Sequence, residues 1–285
     1  MRIFGLSEAN YYCSSFSRST GDAKGSIDDF QKNHLGTHSR TIAEGTPLFH
    51  QYRDCSLRDV ERSLFFAASH YRRSLDLMIP SSSPWAHVTL YYGSWYASRA
   101  LLGMFGCTIF SPHFVVDVGK GSPGRQELRL RRIGNKPGQQ YTTFSGTHRV
   151  FWDIFYIAVQ SLILMVDPHF AAALSPISGD PAWQIQHRNE VNYDSLIGFR
   201  LAEDFDRSFS KQGFPSCLPG VLNTQFRILE TLLELVYSYA RQFGLSTDAL
   251  DGLGHPSSLC NKVRHLVYAH KPPGLVQKTK KSMIT

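Results

Sequence analysis

The sequence predicts a mainly α-helical fold that carries an inserted small β-hairpin and a helical C-terminal extension. Of the 285 residues, 42% are apolar and 13% are aromatic, which is enough to bury a substantial hydrophobic core. Apolar and aromatic residues recur at intervals of three and four along several long segments, as they do on one face of an α-helix. Between residues 107 and 146 this pattern is replaced by short apolar runs separated by turns.

The helical segments are marked by their apolar spacing and by residues that begin or end helices. In the first segment Leu57 and Leu64 lie two turns apart on one predicted face. Ser56 and Asp59 form a capping-box pattern before it, with Asp in place of Glu, so this helix is predicted to begin at Ser56. The segments predicted to be helical are 56–78, 85–105, 145–166, 181–209, 222–243 and 257–270.

The inserted β-hairpin is predicted from the runs FVVDV and QELRLRRI and from the turn-forming stretches GKGSPG and GNKPG. The insertion concentrates five basic residues within a dozen positions, namely Arg125, Arg129, Arg131, Arg132 and Lys136. Such clusters bind nucleic-acid phosphates, and the whole chain has 30 Lys and Arg against 23 Asp and Glu. The alternative is an ordinary patch of solvated charges.

Three regions are predicted along the chain. Residues 1–55 are rich in Ser, Gly, Thr and Asp without a sustained period, so they are predicted to be a loosely structured arm with one short helix near Ile27 to Lys32. Residues 56–210 are predicted to form the helical bundle, with the β insertion at about 107–146. Residues 211–285 are predicted to be the helical extension, which ends in a basic tail with Lys278, Lys280 and Lys281.

Several classes of protein are disfavoured by what the sequence lacks. The five cysteines are scattered and never spaced as CxxC, and no histidines and carboxylates stand at metal-ligand spacing, so neither a metal nor another cofactor is predicted. The first residues lack the pattern of a secretory signal. The most apolar window, 150–166, contains Asp153 and is predicted to be a buried helix rather than a membrane span. A cytoplasmic location is therefore expected.

Three segments carry a resemblance to a known family. They are the aromatic and Ala-rich stretch HVTLYYGSWYASRALLGMFG, the helix start GTHRVFWDIF with its His148, and the Arg-containing helix start HRNEVNYDSL. Together with the first helix they resemble the HEPN superfamily over residues 56–210, with the hairpin as an interruption. The resemblance implies a small all-α bundle that often dimerises and often acts as a metal-independent ribonuclease in bacterial toxin–antitoxin and phage-defence systems. RNA and a second copy of the chain are the partners it implies.

The family's active motif implies candidate catalytic residues. In that motif an Arg is followed by a polar residue and, a few residues later, by a His. The Arg stabilises the charge that the phosphate gains in the transition state, and the His exchanges a proton near neutral pH. The best-matching segment has Arg188 and Asn189, but Tyr193 stands where the His is expected. The resemblance implies that Asn189 contacts the RNA phosphate, and His187 is either a second donor to that phosphate or a surface residue.

A literal match to the same motif lies further along the chain. There Arg264 is followed by a polar residue and, after five intervening residues, by His270. On a helix these two side chains point about 120° apart, so they meet at one phosphate only through the reach of the Arg or across two subunits. The alternative is that His270 interacts with the carbonyl groups at the end of its helix.

Two functional hypotheses follow. The first is an RNA-binding protein that cleaves RNA without a metal ion. The second is a non-catalytic bundle that scaffolds a partner protein of a defence or toxin–antitoxin complex. Tyr193 favours the second, because a phenol with a pKa of about 10 is a poor base at neutral pH. The aromatic stripe Tyr91, Tyr92, Trp95 and Tyr96 fits base stacking, a core or a dimer interface.

Overall fold

The structure is a computed structural model that describes residues 2–17, 25–36, 40–78, 82–110, 114–119, 121, 125–132, 147–163, 174, 183–212 and 220–247. These residues form eight α-helices, one short π-helix and four β-strands, which confirms the predicted mainly α-helical class with a small β element. Among the described helices none has the length and apolar character needed to span a membrane.

Most of the described elements are helices, and the four strands lie between helices in the chain order. The helices are α1 (Leu6–Ser14), α2 (Ile27–Phe30, continued by the π-helix Gln31–Leu35), α3 (Pro47–Asp76), α4 (Ser83–Met104), α5 (Thr147–Ile163), α6 (Trp183–Tyr193), α7 (Ser195–Gln212) and α8 (Gly220–Gln242). The strands are β1 (Arg40–Ala43), β2 (Thr108–Phe110), β3 (Phe114–Val118) and β4 (Glu127–Arg132).

Helix α3 begins earlier than its sequence pattern predicts. The hydroxyl oxygen of Thr46 accepts a hydrogen bond from the backbone N–H of Phe49 at 3.2 Å, and Pro47 occupies the first turn. The prediction that this helix begins at Ser56 is therefore wrong. Ser56 lies inside α3, where it is buried and bonded to the Thr108 hydroxyl at 3.1 Å.

The centre of the fold is the pair α3 and α4, which pack against each other as an antiparallel hairpin. Gly103 of α4 approaches α3 so closely that an added Cβ would lie 2.5 Å from a methyl group of Val60. Helix α8 packs on the same pair. Its Phe226 meets the ring of Tyr71 edge-on at 6.0 Å, and Leu229 packs against Gly93 of α4. Helices α5 and α6 also contact α4, so α4 is the element that most others share.

The N-terminal segment belongs to the core, which contradicts the prediction of a loosely structured arm over residues 1–55. Phe4 and Tyr12 are buried with their ring centroids 5.3 Å apart. The backbone N–H of Phe4 donates to the carbonyl of Phe105 at 3.0 Å, which ties the segment to the end of α4. These contacts are made between residues far apart in the chain, so no local pattern of apolar residues predicts them.

The β element is a four-stranded antiparallel sheet in the order β1-β4-β3-β2. The predicted hairpin supplies three of these strands, and β1 joins them from the N-terminal region, with Thr41 opposite Arg129 and Ala43 opposite Glu127. Leu128 and Leu130 of β4 are buried on the face that meets the helices. The sheet is therefore an integral side of the core rather than an isolated insertion.

The predicted helix 181–209 is two helices. The carboxylate of Asp194 accepts hydrogen bonds from the backbone N–H groups of Leu196 at 2.9 Å and Ile197 at 3.2 Å, so a new helix begins there. The predicted helix 222–243 is confirmed as α8, which ends at Gln242, and Gly244 just beyond it has a positive φ of 73°. The predicted helix 257–270 and the basic tail lie outside the described residues.

Candidate functional site

Polar side chains from four helices meet on the inner face of α4. His87 and Tyr91 lie one turn apart on the inner face of α4. Helix α6 buries Gln184 and Arg188 against α4, and α8 contributes Gln225. We call these five residues, together with His148 of α5 and His187 of α6, the polar cluster. Burying polar side chains in a mainly aromatic core costs free energy unless they form hydrogen bonds. The hydrogen bonds of each member therefore indicate its role.

Arg188 is a buried cation that forms no ion pair with a carboxylate in the part of the chain that the structure describes. Its side chain lies over the rings of Tyr91 and Tyr92, with the guanidinium carbon 5.2 and 5.6 Å from the two ring centroids, and only 8% of the residue is exposed. One guanidinium nitrogen donates to the Asn189 amide oxygen at 2.9 Å. Among the described residues no carboxylate forms an ion pair with Arg188, and its buried Nε has no acceptor. A buried cation in this state attracts an anionic ligand.

His148 stands beside this cation at the start of α5. Its Nδ1 is 2.8 Å from the Tyr91 hydroxyl oxygen, and its ring lies 5.2 Å from that of Trp95. Burial lowers the pKa of His148 below its ordinary value, and the positive charge of Arg188 lowers that pKa further. The imidazole is therefore neutral at pH 7 and able to accept a proton.

Tyr91 connects the imidazole and the guanidinium. Burial raises the pKa of Tyr91 to about 12, and this rise is opposed by the nearby indole of Trp152 and by Arg188. The phenol therefore stays protonated at neutral pH and fixes the orientation of the His148 ring. We call Arg188, His148, Tyr91 and Tyr92 the Arg188 site.

A second part of the polar cluster lies next to this site. The Nδ1 atom of His87 is 2.7 Å from the Gln225 amide oxygen and 3.1 Å from the Nε2 atom of His187. Burial and then the neighbouring His187 lower the pKa of His87 to about 4, although the Gln225 bond opposes this. Burial also lowers the pKa of His187, against the influence of Glu190. Both imidazoles are thus neutral at pH 7 and act as hydrogen-bonding groups between α4, α6 and α8.

The part of the chain that the structure describes contains no group of three His, Cys, Asp or Glu residues placed to hold a metal ion. The amide atoms of Gln184 and the Nε2 atom of Gln225 are buried and lack a hydrogen-bond partner among the described residues. A polar ligand bound next to Arg188 would therefore find further hydrogen-bond donors and acceptors in these amide groups.

The residues predicted to be catalytic are only partly brought together. Arg188 occupies the buried site, but Tyr193 is 78% exposed at the last residue of α6 and makes no contact with it. Five residues along a helix place two side chains about 140° apart, so Arg188 and Tyr193 do not meet within one copy of the chain. Of the two predicted phosphate donors, His187 contacts His87 and Asn189 is exposed beside Arg188. Arg264 and His270 lie outside the described residues.

The predicted basic cluster does not form one uniform patch. Arg131 binds the buried carboxylate of Asp117 through two nitrogens, at 2.8 and 3.1 Å, and Arg129 lies 3.9 Å from the other carboxylate oxygen. Arg132 follows on β4, where successive side chains alternate between faces, and Arg125 precedes the strand in an exposed position. Lys136 lies outside the described residues. Part of the positive charge that was predicted to contact RNA is therefore paired with Asp117 within the sheet.

In comparisons with known proteins, no family model matches the chain, and neither a curated protein nor a solved structure matches it. The resemblance to the HEPN superfamily therefore stays a prediction from three sequence segments. The geometry adds a pairing that the family motif does not predict, because His148 lies 40 positions before Arg188 rather than after it. The only sequence signals for it were the His in GTHRVFWDIF and the Arg in HRNEVNYDSL.

Proposed function

We propose that the protein binds RNA with a backbone phosphate at the Arg188 site and cleaves it without a metal ion. The observation that supports this most strongly is the buried Arg188, which has no ion-pair partner among the described residues, beside the neutral imidazole of His148. A guanidinium held in place by two aromatic rings offers fixed positive charge where a phosphodiester gains charge during cleavage. A neutral imidazole supplies the base that such a reaction needs at neutral pH.

The reaction we propose uses the ribose 2′-hydroxyl as nucleophile. His148, with its own proton on Nδ1 bound to the Tyr91 oxygen, accepts the hydroxyl proton at Nε2. The 2′-oxygen then bonds to the adjacent phosphorus while the bond from phosphorus to the 5′-oxygen breaks. The leaving 5′-oxygen takes a proton from water, and His148 returns its proton to solvent. The products are a 2′,3′-cyclic phosphate end and a 5′-hydroxyl end.

His148→Gln tests the catalytic part of this proposal. The amide keeps the size and polarity of the side chain but cannot serve as a base, so we expect cleavage in EDTA to fall by about 10²- to 10⁴-fold. RNA binding should stay within a few fold of wild type. The wild-type rate should fall as the pH drops through the lowered pKa of His148, because the protonated imidazole accepts no further proton. Rates and product ends are measured on a labelled single-stranded RNA.

The matched control is His50→Gln, since His50 is exposed on α3 and lies outside the polar cluster. It should cleave as the wild type does. Full activity in the His148 variant would remove that residue from the mechanism, and activity that requires a divalent metal would overturn the reaction type. Binding without cleavage in the wild type would leave an RNA-binding function alone.

A second candidate function is favoured by a different surface. Tyr193, Leu196 and Phe199 recur at intervals of three around the junction of α6 and α7, with 78%, 54% and 65% of their surface exposed. Exposed apolar groups of this size are typical of protein interfaces. They support the hypothesis of a non-catalytic module that binds a partner protein or a second copy of the chain. In that case the wild type neither binds nor cleaves the labelled single-stranded RNA.

A further inference from the structure

A continuous row of aromatic rings runs across the α3–α4 hairpin to the Arg188 site. The ring of Phe66 lies 5.0 Å from that of Tyr96, and Tyr96 stacks on His70 at 5.5 Å with only 9° between the ring planes. His70 stacks in turn on Tyr92 at 6.0 Å, and Phe65 adjoins Phe66 at 5.8 Å. We call these five residues the aromatic row.

The two ends of the aromatic row lie in different environments. At one end Phe65 and Phe66 are 49% and 45% exposed, which is unusual for phenylalanine in the middle of a long core helix. At the other end the Tyr92 ring lies under the guanidinium of Arg188, 5.6 Å from its central carbon. The row therefore leads from solvent to the buried cation without a break.

Basic residues accompany the row on α3. Arg72 and Arg73 follow Phe65 and Phe66 by seven residues, which is two helical turns, so they lie on the same side of the helix. Both are exposed. Both lie beside the half of the row that approaches Arg188, and the guanidinium of Arg73 is 3.5 Å from the carboxylate of Asp76. A surface that combines aromatic rings with cationic groups is complementary to a chain that carries bases and phosphates.

We propose that the aromatic row binds unpaired nucleobases of the RNA whose phosphate is held at Arg188, which makes single-stranded RNA the substrate. This inference rests on the proposed function, because Arg188 and the row would bind one molecule. Bases in a duplex are stacked on their neighbours and present only their edges, so they cannot lie against Phe66 and Tyr96. Stacking on side chains tolerates any base, so little sequence preference is expected.

Phe66→Ala tests the row directly, because Phe66 is exposed and its loss leaves the core intact. Binding is measured in the His148→Gln background, so that bound RNA is not cut. The probes are a ten-nucleotide single-stranded RNA, an abasic oligonucleotide of the same length and a blunt RNA duplex. We expect Phe66→Ala to weaken binding of the single-stranded RNA about tenfold and binding of the abasic oligonucleotide hardly at all.

Two further variants separate stacking from other effects. Phe66→Trp restores a flat ring and should restore binding. Phe199→Ala removes a phenylalanine of α7 that is even more exposed than Phe66 and lies outside the aromatic row, and this variant should bind RNA as the parent does. Equal weakening of the base-containing and abasic probes, or equal affinity for duplex and single strand, would overturn the inference. So would a Phe66→Ala variant that changes oligomeric state while its RNA affinity is unchanged.

The failure of this inference can be told apart from failure of the proposed function. Arg188→Met should weaken binding of the abasic and base-containing oligonucleotides alike, because it removes a phosphate contact. If Arg188→Met weakens binding and Phe66→Ala does not, the Arg188 site stands and the aromatic row is not part of it. If the His148→Gln protein binds none of the probes, both proposals are wrong.

Discussion

Replacing Arg188 with methionine is expected to abolish RNA cleavage and weaken RNA binding at least about 100-fold, while the free energy of unfolding stays the same or rises. The guanidinium is buried over Tyr91 and Tyr92 without an ion-pair partner among the described residues. Burying such a charge costs several kcal/mol, which an apolar side chain of similar length does not incur. Residues that lower the stability of a protein are typically retained at functional sites. Here the bound phosphate would supply the negative charge that pairs with Arg188.

The matched control is Arg53→Met, which removes a buried arginine that does have a partner. Two nitrogens of Arg53 lie 2.9 Å from the Asp54 carboxylate, and both side chains are almost fully buried. Its loss would leave the buried Asp54 carboxylate with a hydrogen bond from the Ser17 backbone N–H but with no ion-pair partner among the described residues, which costs about 3–5 kcal/mol. Unfolding in urea and RNA binding of the folded protein are measured for both variants. Strong destabilisation by Arg188→Met, similar to that by Arg53→Met, would make Arg188 a structural residue.

Gly106→Ala is expected to lower the free energy of unfolding by about 3 kcal/mol. Gly106 has a positive φ of 75° just after α4, a conformation that costs any other residue about 1 kcal/mol. A Cβ at this position would also overlap the buried ring of Phe4. Overpacking of that kind adds about 1–3 kcal/mol, because the Phe4 ring is buried and packed against Tyr12.

Gly45→Ala separates the two contributions to this loss. Gly45 has a similar φ of 82°, but an added Cβ would meet no atom within 4 Å. It should therefore lose only about 1 kcal/mol in the same denaturation experiment. An equal loss for both variants would mean that Phe4 does not pack against the end of α4, and the N-terminal segment would then be outside the core.

The parts of the fold that could be predicted from sequence are those whose pattern is local. Helices α4 and α8 have apolar residues at helical spacing and glycines in positive φ just beyond their ends, so both sets of bounds were predicted closely. The break between α6 and α7 had a local signal as well. Asp194 is a good first residue of a helix, but the helical pattern on both sides of it concealed the boundary.

The predictions that were wrong concern contacts between residues far apart in the sequence. Phe4 and Tyr12 are buried by α3 and α4, and β1 is a four-residue strand whose partner lies far along the chain. Neither segment is long enough to show a period. Ser56 suggested a helix start because a serine near an acidic residue is a common capping pattern, yet its partner is Thr108 on β2.

The candidate site was predicted in its residue types but not in its pairing. Arg188 and the need for an imidazole came from the family motif, which led to Tyr193 on the same helix. The structure instead places His148 near Arg188, because α5 and α6 both pack on α4 around Tyr91. Helix packing of this kind depends on side chains from three elements at once, and one sequence does not reveal it.

The most direct test of the Arg188 site is the titration of the His148 ring by NMR, with and without a single-stranded RNA whose 2′-hydroxyls are methylated to prevent cleavage. In the free protein burial lowers the pKa of His148, and the charge of Arg188 lowers that pKa further. Bound phosphate would compensate the charge of Arg188 and so remove the second of these two effects. We therefore expect RNA to shift the His148 resonance and raise its pKa in the wild type, and to change neither in Arg188→Met. A protein that binds this RNA while the pKa and resonance of His148 stay unchanged would contradict the proposed site.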